Sequence, residues 1–118
     1  MGFTCMNHCR PALMLEIVDG DREIFLQLAE IFRRESVVIF ERMRTAAAAA
    51  DLKELGSQSH SLKGTVGPLE ADELVKMLLQ IEDECNERQC ICDESRLSMI
   101  ANELNQVRIE LQQFIDHL

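Results

Sequence analysis

Apolar residues recur every three or four positions along most of this chain, which is the spacing of one face of an α-helix. The clearest stripe runs through the last quarter of the chain: Leu97, Ile100, Leu104, Val107, Leu111, Phe114 and Leu118. A second long stripe runs from Ile24 to Met43, and the alanine run at 46–50 extends it because alanine has the highest helix propensity. Strand-like alternation is missing, so the pattern predicts an all-α protein.

Capping and helix-breaking residues divide the pattern into helices. Pro11 suits the first turn of a short helix, Asp21 and Asp51 suit N-caps, and Gly67–Pro68 ends a helix. We predict helices at about 11–18, 21–48, 52–66, 71–87 and 94–117. Four long helices with short connections predict a single domain over residues 1–118, an antiparallel up-down-up-down four-helix bundle with the short first helix across one end.

Charge and hydropathy exclude two classes of partner. The 118 residues carry a net charge of −9, with twelve Lys and Arg scattered among twenty-one acids, which argues against binding to nucleic acid or an anionic membrane. No apolar run approaches the ~20 residues of a membrane-spanning helix, and no signal-peptide pattern opens the sequence. We therefore predict a cytoplasmic protein, with monomer as the expected state because every long apolar stripe is used inside one bundle.

Five cysteines raise the alternative of a zinc protein. They lie in "CMNHC" at 5–9 and "CNERQCIC" at 85–92, together with His8. The spacings are not paired C-x-x-C motifs, and the predicted topology puts the two clusters at opposite ends of the bundle. We predict no metal site, with Cys85 in the core, the other cysteines as surface or terminal thiols, and His8 and His117 in solvent.

The stretch "GSQSHSLKGTVG" at 56–67 places a histidine among three glycines on a predicted helix. Each glycine costs roughly 0.5–1 kcal/mol relative to alanine inside a helix, which calls for a compensating role. His60 lies roughly 130° from the centre of the apolar stripe, at about 100° per residue. Gly56 and Gly64 lie one turn to either side of it, and Gly67 follows. The spacing predicts an open strip of backbone that gives a partner access to His60.

The residue types at this site suit phosphoryl transfer. Neutral imidazole is a good nucleophile near pH 7, and Lys63, one turn from His60, supplies a positive charge for phosphoryl oxygens. An exposed histidine on a helix is also common as a plain polar residue. The residues alone thus leave a second interpretation open, a helical protein-interaction module in which His60 is incidental.

"HSLKGTVG" resembles the H-x-x-K-G signature of histidine-containing phosphotransfer (HPt) domains, the helical carriers of two-component phosphorelays. The similarity covers most of the chain, from the short first helix and "GDREIFLQLAEIF" through "LEADELVKMLLQIEDE". The resemblance implies that His60 is the phosphoacceptor, that Lys63 assists the phosphoryl group, and that Gly64 lets a response regulator approach.

The resemblance also implies a role for Glu82, because family members commonly carry Gln or Glu 22 residues after the histidine, where it orients the imidazole. Helical phase agrees, since Glu82 interrupts the apolar side of the fourth helix next to Ile81. Two positions depart from the family pattern. Glu70 stands where many relatives have glycine, and Asn86 where some have a basic residue.

The partners implied by the resemblance are receiver domains. His60 would take a phosphoryl group from the aspartate of one receiver, for instance that of a hybrid sensor histidine kinase, and pass it to a response regulator. The chain has no P-loop or glycine-rich nucleotide loop, so we expect a phosphocarrier rather than an enzyme. It would need no cofactor of its own, because Mg²⁺ belongs to the partner's aspartate pocket. Ile17, Ile24 and Leu28 are candidates for docking the regulator.

Overall fold

The computed structural model describes residues 7–88 and 93–118. Five α-helices account for most of them: α1 (Pro11–Ile17), α2 (Arg22–Ala48), α3 (Leu52–Val66), α4 (Asp72–Asp83) and α5 (Glu94–Asp116). A 3₁₀ turn (Gly67–Leu69) links α3 to α4, and a π-helical turn (Glu84–Arg88) continues α4. The described part of the chain contains no strand, so the all-α prediction is confirmed. The helix limits differ from the predicted ones by one residue at most, if the π-helical turn is counted with α4.

Three aspartates begin the long helices as side-chain caps. Asp21, Asp51 and Asp93 each accept a hydrogen bond from the backbone N–H three residues later, at 2.9–3.1 Å. Each bond satisfies one of the amide groups that a helix start leaves without a partner. The predicted caps at Asp21 and Asp51 are therefore confirmed.

Three connections place a residue other than glycine at positive φ: Asp19 after α1, Ala50 after α2 and Glu70 after the 3₁₀ turn. After α2, Ala50 adopts φ 55°, while its own N–H donates to the Ala47 carbonyl at 3.1 Å and the Asp51 N–H donates to the Ala46 carbonyl at 2.9 Å. This pair of bonds is the Schellman pattern, which favours glycine at the left-handed position. After the 3₁₀ turn, Glu70 adopts φ 55° and ψ 43°. The family's glycine at the position of Glu70 is thus replaced by a strained glutamate.

The four long helices surround one apolar core. α2 contacts α3 and α5, and α4 contacts α3 and α5. Apolar side chains of α3 and α4 are buried in this core, including Leu55, Leu62, Leu74, Leu78 and Ile81, each at most 1% exposed. Cys85 is buried with them, as predicted. α1 packs against α2, α5 and the 3₁₀ turn.

A buried carboxylate fixes the segment that leads into α1. Glu110 on α5 is only 6% exposed and accepts hydrogen bonds from the backbone N–H groups of Asn7, His8 and Cys9 at 2.9–3.1 Å. The Nδ1 atom of His8 lies 2.7 Å from Glu103 on the same helix. Three amide donors in a row compensate the cost of burying a carboxylate.

These contacts correct two predictions. His8 is paired with Glu103 instead of lying free in solvent, and this hydrogen bond holds the pKa of His8 above its ordinary value, against a smaller opposite effect of burial. Cys9 is 2% exposed, so it is a core residue and not a terminal thiol. His117 is exposed, and its ring bonds the Gln113 carbonyl. Cys5, Cys90 and Cys92 lie outside the described residues.

The described residues contain neither a membrane-spanning helix nor a cluster of metal ligands. None of their helices is long and apolar enough to cross a membrane. Within residues 7–88 and 93–118, no group of three or more His, Cys, Asp or Glu side chains is arranged to hold a metal ion.

Candidate functional site

His60 lies on the outer side of α3 with 67% of its side chain exposed. Its Nδ1 atom is 2.9 Å from Oε2 of Glu82. An ionised carboxylate can only accept a hydrogen bond, so this contact places the ring proton on Nδ1. The Nε2 atom then carries the lone pair, and it belongs to a ring that is open to solvent.

Glu82 also forms an ion pair with Lys63. Its Oε1 atom accepts a hydrogen bond from Nζ of Lys63 at 2.8 Å. The two side chains are 17% and 25% exposed, so their ion pair is shielded much better than the imidazole. Burial disfavours the charged form of Glu82, but the hydrogen bonds from Lys63 and His60 outweigh it and hold its pKa below the ordinary value. Glu82 is therefore a carboxylate at neutral pH.

The packing of α3 against α4 produces this arrangement. On α3, Ser59 and Leu62 point into the core, which leaves His60 and Lys63 at the flank of the helix. On α4, Ile81 and Cys85 are buried, which leaves Glu82 at the edge that α3 covers. The two helices are in contact along this flank, so residues that are 22 positions apart meet.

The three glycines around His60 differ in their surroundings. A Cβ atom built on Gly64 or on Gly67 would meet nothing within 4 Å, and Gly64 is exposed. The open backbone predicted at these positions is present. Gly56 is buried, because the π-helical turn after α4 lies against it. The prediction that Gly56 gives a partner access is wrong, since this glycine serves close packing.

An apolar groove of about 440 Å³ begins beside Gly64. Its lining combines α1, α2 and the end of α3 and includes Ile17, Leu28, Ile31, Thr65 and Pro68. Ile17 is 70% exposed, the highest value among the large apolar side chains of the described residues.

The groove contains two of the three predicted docking residues, Ile17 and Leu28. Ile24 is also exposed but does not line it. Sequence reasoning missed Ile31 and Pro68. Ile31 belongs to the apolar stripe of α2, where only its 45% exposure separates it from the core positions.

A second groove of about 500 Å³ lies between the C-terminal half of α2 and the start of α3. Val37, Val38 and Ala49 provide apolar lining, and Glu41 and Arg42 provide charge. It contains none of the candidate site residues. Although this groove is larger than the one beside Gly64, its size alone does not make it the candidate functional site.

Comparisons with known proteins agree with this geometry. The family model described as "Hpt domain" matches residues 27–117, a range that includes His60, Lys63, Gly64 and Glu82. Ile17 and Ile24 lie before the matched range. No protein of curated function matches the sequence.

One solved structure has a similar fold. The crystal structure of histidine-containing phosphotransfer protein B (HptB) from Pseudomonas aeruginosa PAO1 aligns with a TM-score of 0.79 over 94% of this chain and 96% of that chain. The two sequences are 18% identical, so this likeness shows a shared fold.

Proposed function

Because this chain belongs to the Hpt domain family and is a histidine phosphotransfer protein of two-component phosphorelays, we propose that His60 is the residue that carries the phosphoryl group. The observation that carries the proposal is that Nδ1 of His60 is hydrogen-bonded to Glu82 while 67% of the His60 side chain is exposed. It combines a fixed tautomer with free access to Nε2.

The proposed reaction is an in-line transfer from the aspartyl phosphate of a receiver domain. The lone pair of Nε2 on His60 forms a bond to phosphorus, and the bond from phosphorus to the aspartate oxygen breaks, which returns the aspartate as a carboxylate. The proton on Nδ1 stays in place, so the phosphorylated ring carries a positive charge next to Glu82. The carboxylate stabilises that charge and keeps the reacting nitrogen turned outwards.

Lys63 is the proposed electrostatic partner of the phosphoryl group. Its ammonium lies on the flank of α3 one turn from His60, and its flexible side chain is able to follow the phosphoryl oxygens. The chain needs no metal ion of its own under this proposal, because Mg²⁺ in the receiver's aspartate pocket neutralises phosphoryl charge.

We propose that the receiver docks on the groove beside Gly64 and Gly67. Open backbone at these positions lets the partner's aspartate reach bonding distance of His60, while Ile17 and Leu28 offer apolar surface for a stable encounter. Ile24 extends the same exposed apolar surface on α2. The partners are receiver domains of a hybrid sensor histidine kinase and of a response regulator.

Three further features belong to this proposal. The ring of contacts among α2, α3, α4 and α5, with its short connections, supports an antiparallel up-down-up-down bundle. The protein acts as a monomeric phosphocarrier without its own nucleotide site. Its place of action is the cytoplasm, where the receiver domains of phosphorelays lie.

The test is transfer from a phosphorylated receiver domain to the wild type, to His60→Gln and to His117→Gln. We expect an acid-labile, base-stable label on the wild type and on His117→Gln, and none on His60→Gln. The His117 variant is the matched control, because it removes another exposed histidine, which lies at the C-cap of α5. A label that persists on His60→Gln would refute the proposal, and so would its absence from the wild type with several receivers. Unchanged partner binding in that second case would favour a plain interaction module.

A further inference from the structure

One carboxylate, that of Glu82, binds both His60 and Lys63 at the candidate site. Oε2 of Glu82 binds Nδ1 of His60 at 2.9 Å, and Oε1 binds Nζ of Lys63 at 2.8 Å. Both oxygens are thus engaged before any phosphoryl group arrives. The ammonium of Lys63 is committed to an anion in the resting protein.

Phosphorylation adds a second anion to the site. A phosphoryl group on Nε2 of His60 brings about two negative charges close to Lys63. An ammonium has three donors on one compact charge, so its attraction is divided between the phosphoryl oxygens and Glu82. The attraction between Lys63 and the phosphoryl group weakens the contact between Lys63 and Glu82. The net stabilisation of the phosphorylated state by Lys63 is therefore smaller.

We propose that Glu82 is a positioning residue that restrains Lys63 and thereby limits how strongly this lysine stabilises phosphorylated His60. This inference rests on the proposed phosphoacceptor role of His60. It assigns Glu82 a second task besides orienting the imidazole. By lowering the contribution of Lys63, Glu82 keeps the phosphoryl group easy to pass on, which suits a carrier that must both accept and donate.

A double-mutant cycle on the phosphorylation equilibrium separates the two tasks of Glu82. Lys63→Gln is made in the wild type and in Glu82→Gln, and the ratio of phosphorylated carrier to phosphorylated receiver is measured at equilibrium. The amide oxygen of Gln still accepts a hydrogen bond from Nδ1, and the ion pair with Lys63 is gone. We expect Lys63→Gln to lower the ratio about twofold in the wild type and about fivefold to tenfold in Glu82→Gln.

Glu84→Gln is the matched control background. Glu84 lies two residues further along the chain and pairs with Arg96 instead of Lys63. The effect of Lys63→Gln in this background should equal its effect in the wild type. Circular dichroism and the 15N signals of the imidazole check that the fold and the tautomer are unchanged.

Two results would overturn the inference. Equal effects of Lys63→Gln with and without Glu82 would mean that Glu82 acts on His60 alone. A smaller effect in Glu82→Gln would mean that Glu82 helps Lys63 to reach the phosphoryl group. Neither result touches the phosphoacceptor role, which the His60→Gln test decides separately.

The comparison does not depend on a relay partner. Phosphoramidate, a small phosphoryl donor, can label the exposed imidazole of all four proteins directly. The hydrolysis half-life of the label is then compared across the same double-mutant cycle. Lys63→Gln should change this half-life by a larger factor in Glu82→Gln than in the wild type. Equal factors would count against the inference in the same way.

Discussion

A Cβ atom placed on Gly56 would lie 3.2 Å from Cβ of Cys85 and 3.4 Å from Oδ1 of Asn86. The backbone of α3 therefore lies so close to the π-helical turn that a side chain at position 56 would require the turn to shift. The same turn follows directly on the α4 segment that carries Glu82. Close packing at Gly56 thus helps to hold Glu82 against His60.

Alanine substitutions at Gly56 and Gly64 of α3 should have different effects on the free energy of unfolding. Both changes gain up to ~1 kcal/mol from helix propensity. Gly64→Ala has open space around its new methyl group, so we expect its free energy of unfolding to rise by about 0.5–1 kcal/mol. Gly56→Ala must push Cys85 aside, and we expect it to be at least ~1 kcal/mol less stable than Gly64→Ala. Urea unfolding measures both, and equal stabilities would contradict the packing role of Gly56.

A large side chain at position 64 should block a protein partner without harming the site. Gly64→Gln adds length one turn from His60 on the open side of α3, so transfer from a phosphorylated receiver should slow by at least about tenfold. Labelling by phosphoramidate should stay within about twofold of the wild type, because the small donor needs little space. If both donors slow equally, the substitution has altered His60 itself, and the access argument fails.

The left-handed Ala50 gives a prediction about the end of α2. A residue with a side chain costs roughly 1 kcal/mol more than glycine in this conformation, so Ala50→Gly should stabilise the protein by about 0.5–1 kcal/mol. Ala49→Gly is the matched control, because Ala49 has φ −87° and gains nothing from glycine. Thermal unfolding should show a higher midpoint for Ala50→Gly only.

The contact between His8 and Glu103 should make part of the stability depend on pH. The hydrogen bond to Glu103 raises the folded-state pKa of His8, so its contribution is fully present below the ordinary pKa and is lost as pH rises through the folded value. The stability difference between the wild type and His8→Gln should thus be larger near about pH 5.5 than near about pH 8.5, by up to about 1 kcal/mol. In a Glu103→Gln background this pH dependence should shrink. A difference that grows with pH would contradict the assignment.

Cys9 should be a protected thiol. Burial first, and then the negative charge of Glu110, raise its pKa to about 12. In a variant with Cys5, Cys90 and Cys92 changed to Ser, iodoacetamide near about pH 8 should modify Cys9 on the order of a hundredfold more slowly in the folded protein than in urea. Mass spectrometry of the modified peptide follows the reaction. Equal rates in the two states would show that the segment around Cys9 is not held against α5.

The sequence predicted the helices well because each of them buries one stripe of its surface. Periodicity reports which face is buried, and the aspartate caps mark where helices begin, so the limits of α2 and α3 follow from local rules. The phase of Glu82 beside Ile81 could be predicted for the same reason. Its contact with Lys63 could not be predicted, because both side chains are long and the contact depends on the axial offset between α3 and α4.

Gly56 shows where a single helix stops being informative. Its angle around α3 is close to that of Lys63, but the angle does not say how near the neighbouring helix comes. The anchoring of the N-terminal segment could not be predicted for a different reason, since residues 7–9 show no apolar periodicity. One signal was present: Glu103 and Glu110 lie four before and three after Val107, at the edge of the apolar stripe of α5. Acidic residues in such positions need donors. The backbone N–H groups of residues 7–9 donate to Glu110, and the ring of His8 pairs with Glu103.

The anchoring by Glu110 links the final helix to the proposed docking groove. α5 contributes no residue to the groove beside Gly64, yet its carboxylate holds the segment that leads into α1, and Ile17 of α1 forms one wall of that groove. A change in the final helix would therefore alter partner choice or encounter rate with the nucleophile untouched. If the receiver docks on this groove as proposed, the specificity of the carrier depends in part on residues that lie outside the docking surface.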